Sequence, residues 1–383
     1  MSLHITVAPS GFKESLSAPE AARAIAEGLR RVRPDAVIDR IPLVDGGEGT
    51  ARALAAATGG SLLSRIATGP LGRPVPTHFA LLGRSSAVVE MAAVAGLSLV
   101  PADRRDPGAT TTYGVGELIR SALDAGVGRV LVGCGDSGTS DGGAGALQAL
   151  GARLLDVNGA ELPLGGAALT RLHRIDPTGL DPRLARTELL VACNPYNVLC
   201  GERGVARVFG PQKGAGPERV EELSTALDRW AALLVRDLGA PAAIGTAPGS
   251  GASGGLGAGL AALGARLLPR FDVLLDHVDL DARLARADLV ITAEGALDGQ
   301  TVRGKIPAEV ARRAKAHGVP VLVLAGTLGR GAHEVRAIGV DAYGSILPAP
   351  MALPEALDRG AEFLADAAER ALRMVLVGTR LAA

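Results

Sequence analysis

His4-Ile5-Thr6-Val7-Ala8-Pro9 opens the chain as a short apolar strand, and Ser17-Ala18-Pro19-Glu20 follows as a helix start. Serine at the cap, proline in the first turn and glutamate three residues on form a capping box. Ala21, Ala22, Ile25, Leu29 and Val32 then recur along one helical face, and Pro34 ends the helix. Residues 37–44 form a second apolar run. Residues 50–58 form a short alanine-rich helix closed by Gly59-Gly60. Strand, helix, strand, helix predicts a parallel sheet.

Outward from this opening the rhythm breaks twice. Residues 61–100 carry Gly69-Pro70, Gly72, Pro74, Pro76 and Gly83 between short apolar runs, as hairpins of another domain would. The β/α rhythm resumes at Thr110-Thr111-Thr112, with a helix through Glu117 to Leu123, a strand from Arg129 and a helix over 141–150. It lapses over 152–263, which includes a helix over 217–236 and a glycine-dense stretch from Pro248 to Gly257. It is regular again from Ala287, with strands at 289–292, 319–325 and 342–347 and helices at 306–317, 332–338 and 354–377. The expectation is a discontinuous two-domain α/β chain. A Rossmann- or flavodoxin-like parallel domain takes 1–60, 110–151 and 264–383. An inserted mixed α/β domain takes 61–109 and 152–263, and a cleft between such domains is a common ligand site.

Composition narrows the function. Lys+Arg and Asp+Glu are both 40 in 383 residues, and aromatic residues are 2%. Zero net charge argues against a nucleic-acid binder, and so few aromatics against base stacking. Cys134, Cys193 and Cys200 are too sparse for a disulfide framework. The N-terminus lacks a signal-length apolar core, and no apolar run approaches membrane-spanning length, so a cytoplasmic protein without a membrane partner is expected.

Three acidic glycine turns carry the chemistry. They are Asp45-Gly46-Gly47-Glu48-Gly49, Asp141-Gly142-Gly143-Ala144-Gly145 and Glu294-Gly295-Ala296-Leu297-Asp298-Gly299, each after an apolar strand. Asp and Gly also make ordinary turns. Three such turns at strand exits of one sheet instead suggest glycine N–H groups around phosphate and carboxylates around Mg²⁺. Gly299 to Lys305 fits GxxxxGK, but Ile306 stands where a P-loop needs Ser or Thr, and no apolar strand leads directly into Gly299. The alternative to Lys305 near phosphate is a solvated lysine. Lys13 and Lys213, each in a loop, are candidate point charges for phosphate or plain surface lysines. Gly133-Cys134-Gly135-Asp136-Ser137-Gly138 matches GxGxxG, with Asp156 placed as a ribose acid, so an NAD(P)-dependent oxidoreductase is the rival enzyme. None of His4, His78, His173, His277, His317 and His333 pairs at zinc-ligand spacing, and no GxSxG elbow occurs.

In order along nearly the whole chain, these motifs resemble the glycerate kinase type 1 family, the bacterial glycerate 2-kinases. The matching stretches are Ala8-Pro9 with Phe12-Lys13 and Ser15-Leu16, the Asp45 to Gly49 turn, Gly69-Pro70-Leu71-Gly72, Glu90-Met91-Ala92 and Thr110 to Gly114. Further on come Ser137 with the Asp141 to Gly145 turn, Phe209 to Gly214, and Glu294-Gly295 with Leu297-Asp298 and Gln300. The resemblance implies two discontinuous α/β domains and ATP-dependent phosphorylation of a hydroxyl of D-glycerate, to 2-phosphoglycerate, or of a related hydroxy acid. This chain departs from the family pattern at Ser10, Asn194 and Ala296, where two carboxylates and a guanidinium are missing, and at Asp136, where a glycine is replaced. A non-catalytic relative is therefore a third reading.

On the kinase reading the expected catalytic residues are Asp45, Lys13 and Asp298, with Asp45 orienting or deprotonating the acceptor hydroxyl. Ser137, Asp141, Gly142 and Arg303 are the expected substrate contacts. Lys213, Gly254, Gly255 and Gly257 are expected around ATP, and Glu294 and Asp298 around Mg²⁺, with base and metal roles exchangeable among the acids. A homodimer is left open as the assembly.

Overall fold

The structure, a computed structural model, describes residues 2–12, 14–274 and 278–381; Lys13 and His277 lie outside them. Its strands are β1 (His4–Val7), β2 (Val37–Arg40), β3 (Ser61–Thr68), β4 (Pro74–Leu82), β5 (Ser86–Glu90), β6 (Arg129–Gly133) and β7 (Arg153–Leu155). They continue with β8 (Arg174–Asp176), β9 (Glu188–Cys193), β10 (Arg266–Pro269), β11 (Leu289–Leu297), β12 (Val321–Leu328) and β13 (Ala342–Ser345). The chain divides into two compact units, Met1–Asp45 with Val278–Ala383, and Gly46–His277.

The first unit holds a five-stranded parallel sheet in the order β13-β12-β11-β1-β2. Helix Ala18–Val32 starts as its sequence predicts: the Glu20 carboxylate accepts the Ser17 backbone N–H at 2.9 Å and the Ser17 hydroxyl at 2.6 Å. Its face of Ala21, Ala22, Ile25 and Leu29 is buried with Ile5, Val7, Ile291, Phe363, Leu364 and Leu372. Gly28 lets helix Gly360–Leu381 come close, since a Cβ there would lie 1.9 Å from the Ala365 carbonyl oxygen.

The second unit holds a six-stranded sheet in the order β10-β9-β6-β5-β4-β3. β3, β4 and β5 are antiparallel hairpins, as expected for 61–100, and β5, β6, β9 and β10 run parallel. Helices Tyr113–Asp124, Pro217–Leu238 and Ala252–Ala262 contribute to its cores, and Trp230 is fully buried with its Nε1 donating to the Gly142 carbonyl at 2.9 Å.

Two interruptions were expected; there is one. β6 lies between β5 and β9 rather than beside β1, so residues 110–151 belong to the second unit, as do 46–60 and 264–277. A β/α rhythm specifies a parallel strand but not which of two parallel sheets receives it. β11 is also longer than expected, so Glu294 sits inside a strand opposite Ala325 rather than in a turn, and the strand leads almost directly into Gly299. The expected 354–377 helix is broken at Arg359 into Leu353–Asp358 and Gly360–Leu381.

Candidate active site

In the first unit, chain order reverses between β1 and β11: β1 leads outward to β2, and β11 leads the other way to β12 and β13. Loops at the carboxyl ends of strands flank a crevice at such a switch point, the usual ligand position of open parallel sheets. Three loops meet this edge. Ser10 follows β1, its N–H and hydroxyl both donating to the Ala293 carbonyl at 2.9 Å. Residues 41–45 follow β2 and stay beside the β1 exit, with Ile41 N–H donating to Val7 O and Leu43 N–H to Pro9 O. Half-buried Asp45 ends that run. Glu294 and Asp298 come from the end of β11.

Those two acids share a cation belonging to the protein. Lys305 Nζ lies 3.2 Å from Asp298 Oδ1 and 3.6 Å from Glu294 Oε2, and donates to the Ala296 carbonyl at 2.9 Å. Lys305 is thus an ion-paired residue rather than a solvated one. The Thr301 hydroxyl donates to Glu294 Oε1 at 2.6 Å. Burial pushes the Glu294 carboxyl up to about 7, with Lys305 pulling against it. Among the described residues no three His, Cys, Asp or Glu side chains gather for a metal. Two carboxylates do not make a protein cage, but they suit Mg²⁺, which keeps waters and phosphate oxygens in its shell. Exposed Arg303 lies on the short helical turn Thr301–Arg303 just beyond.

The first two glycine turns are not open phosphate cradles. In the second unit, the N–H of Glu48 donates to Asp136 Oδ2 at 3.2 Å, and those of Gly49 and Ala51 donate to the two Glu90 oxygens at 2.9 Å. Carboxylates from the ends of β5 and β6 therefore hold the N-terminus of helix Thr50–Thr58. Burial raises the Glu90 carboxyl to about 7 against these two bonds. Asp136 sits at φ 50°, a left-handed position natural for glycine and tolerated by aspartate.

Asp141 is fully buried. It accepts from Thr112 N–H at 2.8 Å, Thr112 Oγ1 at 2.9 Å, Gly143 N–H at 3.1 Å and Gly145 N–H at 3.2 Å. Burial raises its pKa, the Thr112 N–H opposing. Gly142 gives its N–H to Gly254 O and its carbonyl to Trp230, and a Cβ there would strike the indole at 2.5 Å. Expected as substrate contacts, both are occupied within the protein.

Ser137 is partly exposed, and Lys213 behind it is 3% exposed. The ammonium donates to Ser137 Oγ at 2.8 Å and to the Thr139 carbonyl at 2.7 Å. Burial pulls Lys213 down to about 7, with Asp141 opposing. Gly254 and Gly255 are left-handed residues within helix Ala252–Ala262. A Cβ at Gly254, Gly255 or Gly257 would meet Thr139 O at 2.0 Å, Leu199 at 2.6 Å or Gly249 O at 2.3 Å, so close internal packing already requires glycine there.

The same test removes the dinucleotide reading. A Cβ at Gly133 would lie 2.8 Å from Gly46 O, at Gly135 2.6 Å from Gly47 N, and at Gly138 3.1 Å from Gly96 O. The protein's own backbone fills the faces a pyrophosphate needs. Asp156 instead closes a turn by accepting the Asn158 and Ala160 N–H groups. Two other departures have local accounts. Asn194 Oδ1 closes a turn on Tyr196 N–H, and the Ala296 carbonyl takes Lys305.

Glu90, Thr112 and Thr301 were given no role from the sequence, and Lys305 was read as near phosphate or solvated, not as the partner of two acids. Lysine scarcity was the available signal for the last: the chain has four lysines, Lys13, Lys213, Lys305 and Lys315, and Lys213 and Lys305 each adjoin a glycine.

A family model of the glycerate kinase family matches residues 5–376. The chain is 46% identical to a glycerate kinase of Bacillus subtilis, over 99% of this chain and 98% of that protein. It is 42% identical to a glycerate 2-kinase of Escherichia coli, over 99% of each. A crystal structure assigned as glycerate kinase 2 from Salmonella typhimurium LT2 matches with a TM-score of 0.80 and 45% identity, over 99% of this chain and 100% of that one. With its length matched almost end to end, Glu294 and Asp298 paired on Lys305 at the end of β11 and its dinucleotide fingerprint closed by its own backbone, the chain belongs to the glycerate kinase family.

Proposed function

We propose that this protein transfers the γ-phosphoryl group of ATP to a hydroxyl of D-glycerate, giving 2-phosphoglycerate. The whole-length match to glycerate kinases carries this reading, and the likeness to a glycerate 2-kinase favours the 2-position. Phosphoryl transfer asks a protein mainly to position groups and neutralise charge. The carboxyl edge of the first sheet is suited to that task. Asp45 takes the acceptor hydroxyl proton or orients that hydroxyl. Asp298, the more exposed acid, and Glu294 would hold Mg²⁺ arriving with the nucleotide, and the ion supplies neutralisation of phosphate charge. Lys305, Arg303 and, by its place after β1, Lys13 supply further positive charge. In the second unit Ser137 contacts a ligand oxygen, while Asp141 and Gly142 hold its loop.

The test is ADP release from Mg-ATP with D-glycerate, with enolase added to convert 2-phosphoglycerate to an enol phosphate. ADP together with the enolase signal is expected. No ADP above the ATP-only control sinks the kinase reading, and ADP without the enolase signal sinks the 2-position.

A further inference from the structure

Lys213 is placed where a lysine does not solvate itself. The turn that carries it is closed by Lys213 N–H to Gly210 O at 3.0 Å and Ala215 N–H to Gly210 O at 3.0 Å. Gly214 follows at φ 98°, where a Cβ would meet Arg105 O at 2.4 Å. The loop that receives the ammonium is equally fixed. Gly138 N–H donates to Ala95 O, Leu97 N–H to Asp136 O, Ser140 N–H to Pro107 O and Thr110 Oγ1 to Gly138 O. Within 137–141 only the Ser137 side chain is left partly exposed.

An ammonium has three donors and no acceptor. In the 2.8 Å contact Ser137 Oγ must therefore be the acceptor. Its own hydrogen is turned away from Lys213, and accepting from a cation makes that O–H a stronger donor. A polarised O–H donor gains most from an anionic oxygen, because a hydrogen bond to an ionised acceptor is stronger than one to a neutral hydroxyl. We infer that Lys213 is a positioning residue that fixes the Ser137 hydroxyl as a donor to an anionic ligand oxygen, either the carboxylate of the hydroxy acid or a phosphate oxygen of the nucleotide. This rests on the kinase reading above and adds to it the chemistry of the group recognised at Ser137.

Ser137→Ala, Lys213→Met and the double variant test it, assayed below neutral pH, where Lys213 is an ammonium. Loss of one hydrogen bond to a charged group raises a KM about tenfold or more. The expected result is such a rise in Ser137→Ala for one anionic ligand, with the KM of the other within about twofold. A rise for D-glycerate identifies the carboxylate, and a rise for ATP identifies a phosphate. Lys213→Met should shift the same KM, and the double variant should be no worse than the worse single one. Unchanged KM values in Ser137→Ala, or a loss confined to kcat, overturn the inference even if Lys213→Met does not fold. Failure of the kinase reading shows separately, as absence of ADP from the wild-type protein.

Discussion

Asp45 ends a run tied to the exit of β1, and the chain enters the second unit at the next residue. Its placement was legible, because an acid followed by two glycines after an apolar run is a local pattern. The work of its neighbours was not legible: Asp136 and Glu90, distant in sequence, take the N–H groups that seemed open to phosphate. Exchanging the Asp45 carboxylate for an amide keeps the shape and removes the proposed base. Asp45→Asn should therefore lower kcat by about 10²- to 10⁴-fold while leaving the protein folded, as a cooperative thermal unfolding transition would show. Near-normal turnover would remove Asp45 from the base role.

At the scale of elements, caps and apolar faces were readable and close approaches were not. Ser17 and Glu20 mark their helix start from four residues of sequence, and the helix begins there. Gly28 looks in sequence like a weak point of the same helix, since Gly to Ala in a helix interior gains up to about 1 kcal/mol. The Ala365 carbonyl 1.9 Å from its Cβ position reverses that sign. Overpacking a tight contact costs about 1–3 kcal/mol, so Gly28→Ala should destabilise the protein and lower its denaturant midpoint. A raised midpoint would mean that helix Gly360–Leu381 yields without cost.

On the scale of the whole molecule, three buried groups among the described residues are shifted toward neutrality in opposite senses. Glu90 and Glu294 are raised from 4.5 to about 7, so the unfolded chain releases these protons first and stability falls as pH climbs through that window. Lys213 is lowered from 10.5 to about 7, so the unfolded chain keeps its proton longer and stability rises from about 7 upward. Thermal midpoints against pH should dip near neutrality. Glu90→Gln and Glu294→Gln should each flatten the acid side, and Lys213→Met the alkaline side; a wild-type profile flat across neutrality would contradict these shifts. The sequence by itself determined the α/β class, the hairpins of 61–100, the capped helices and, by motif order, the family, because each depends on local spacing. Tertiary structure alone decided that β6 joins the second sheet, that Glu294 and Asp298 share Lys305, and that the first two glycine turns are closed by buried carboxylates. Those facts depend on which distant residues a strand or a donor meets, and local periodicity does not encode the partner.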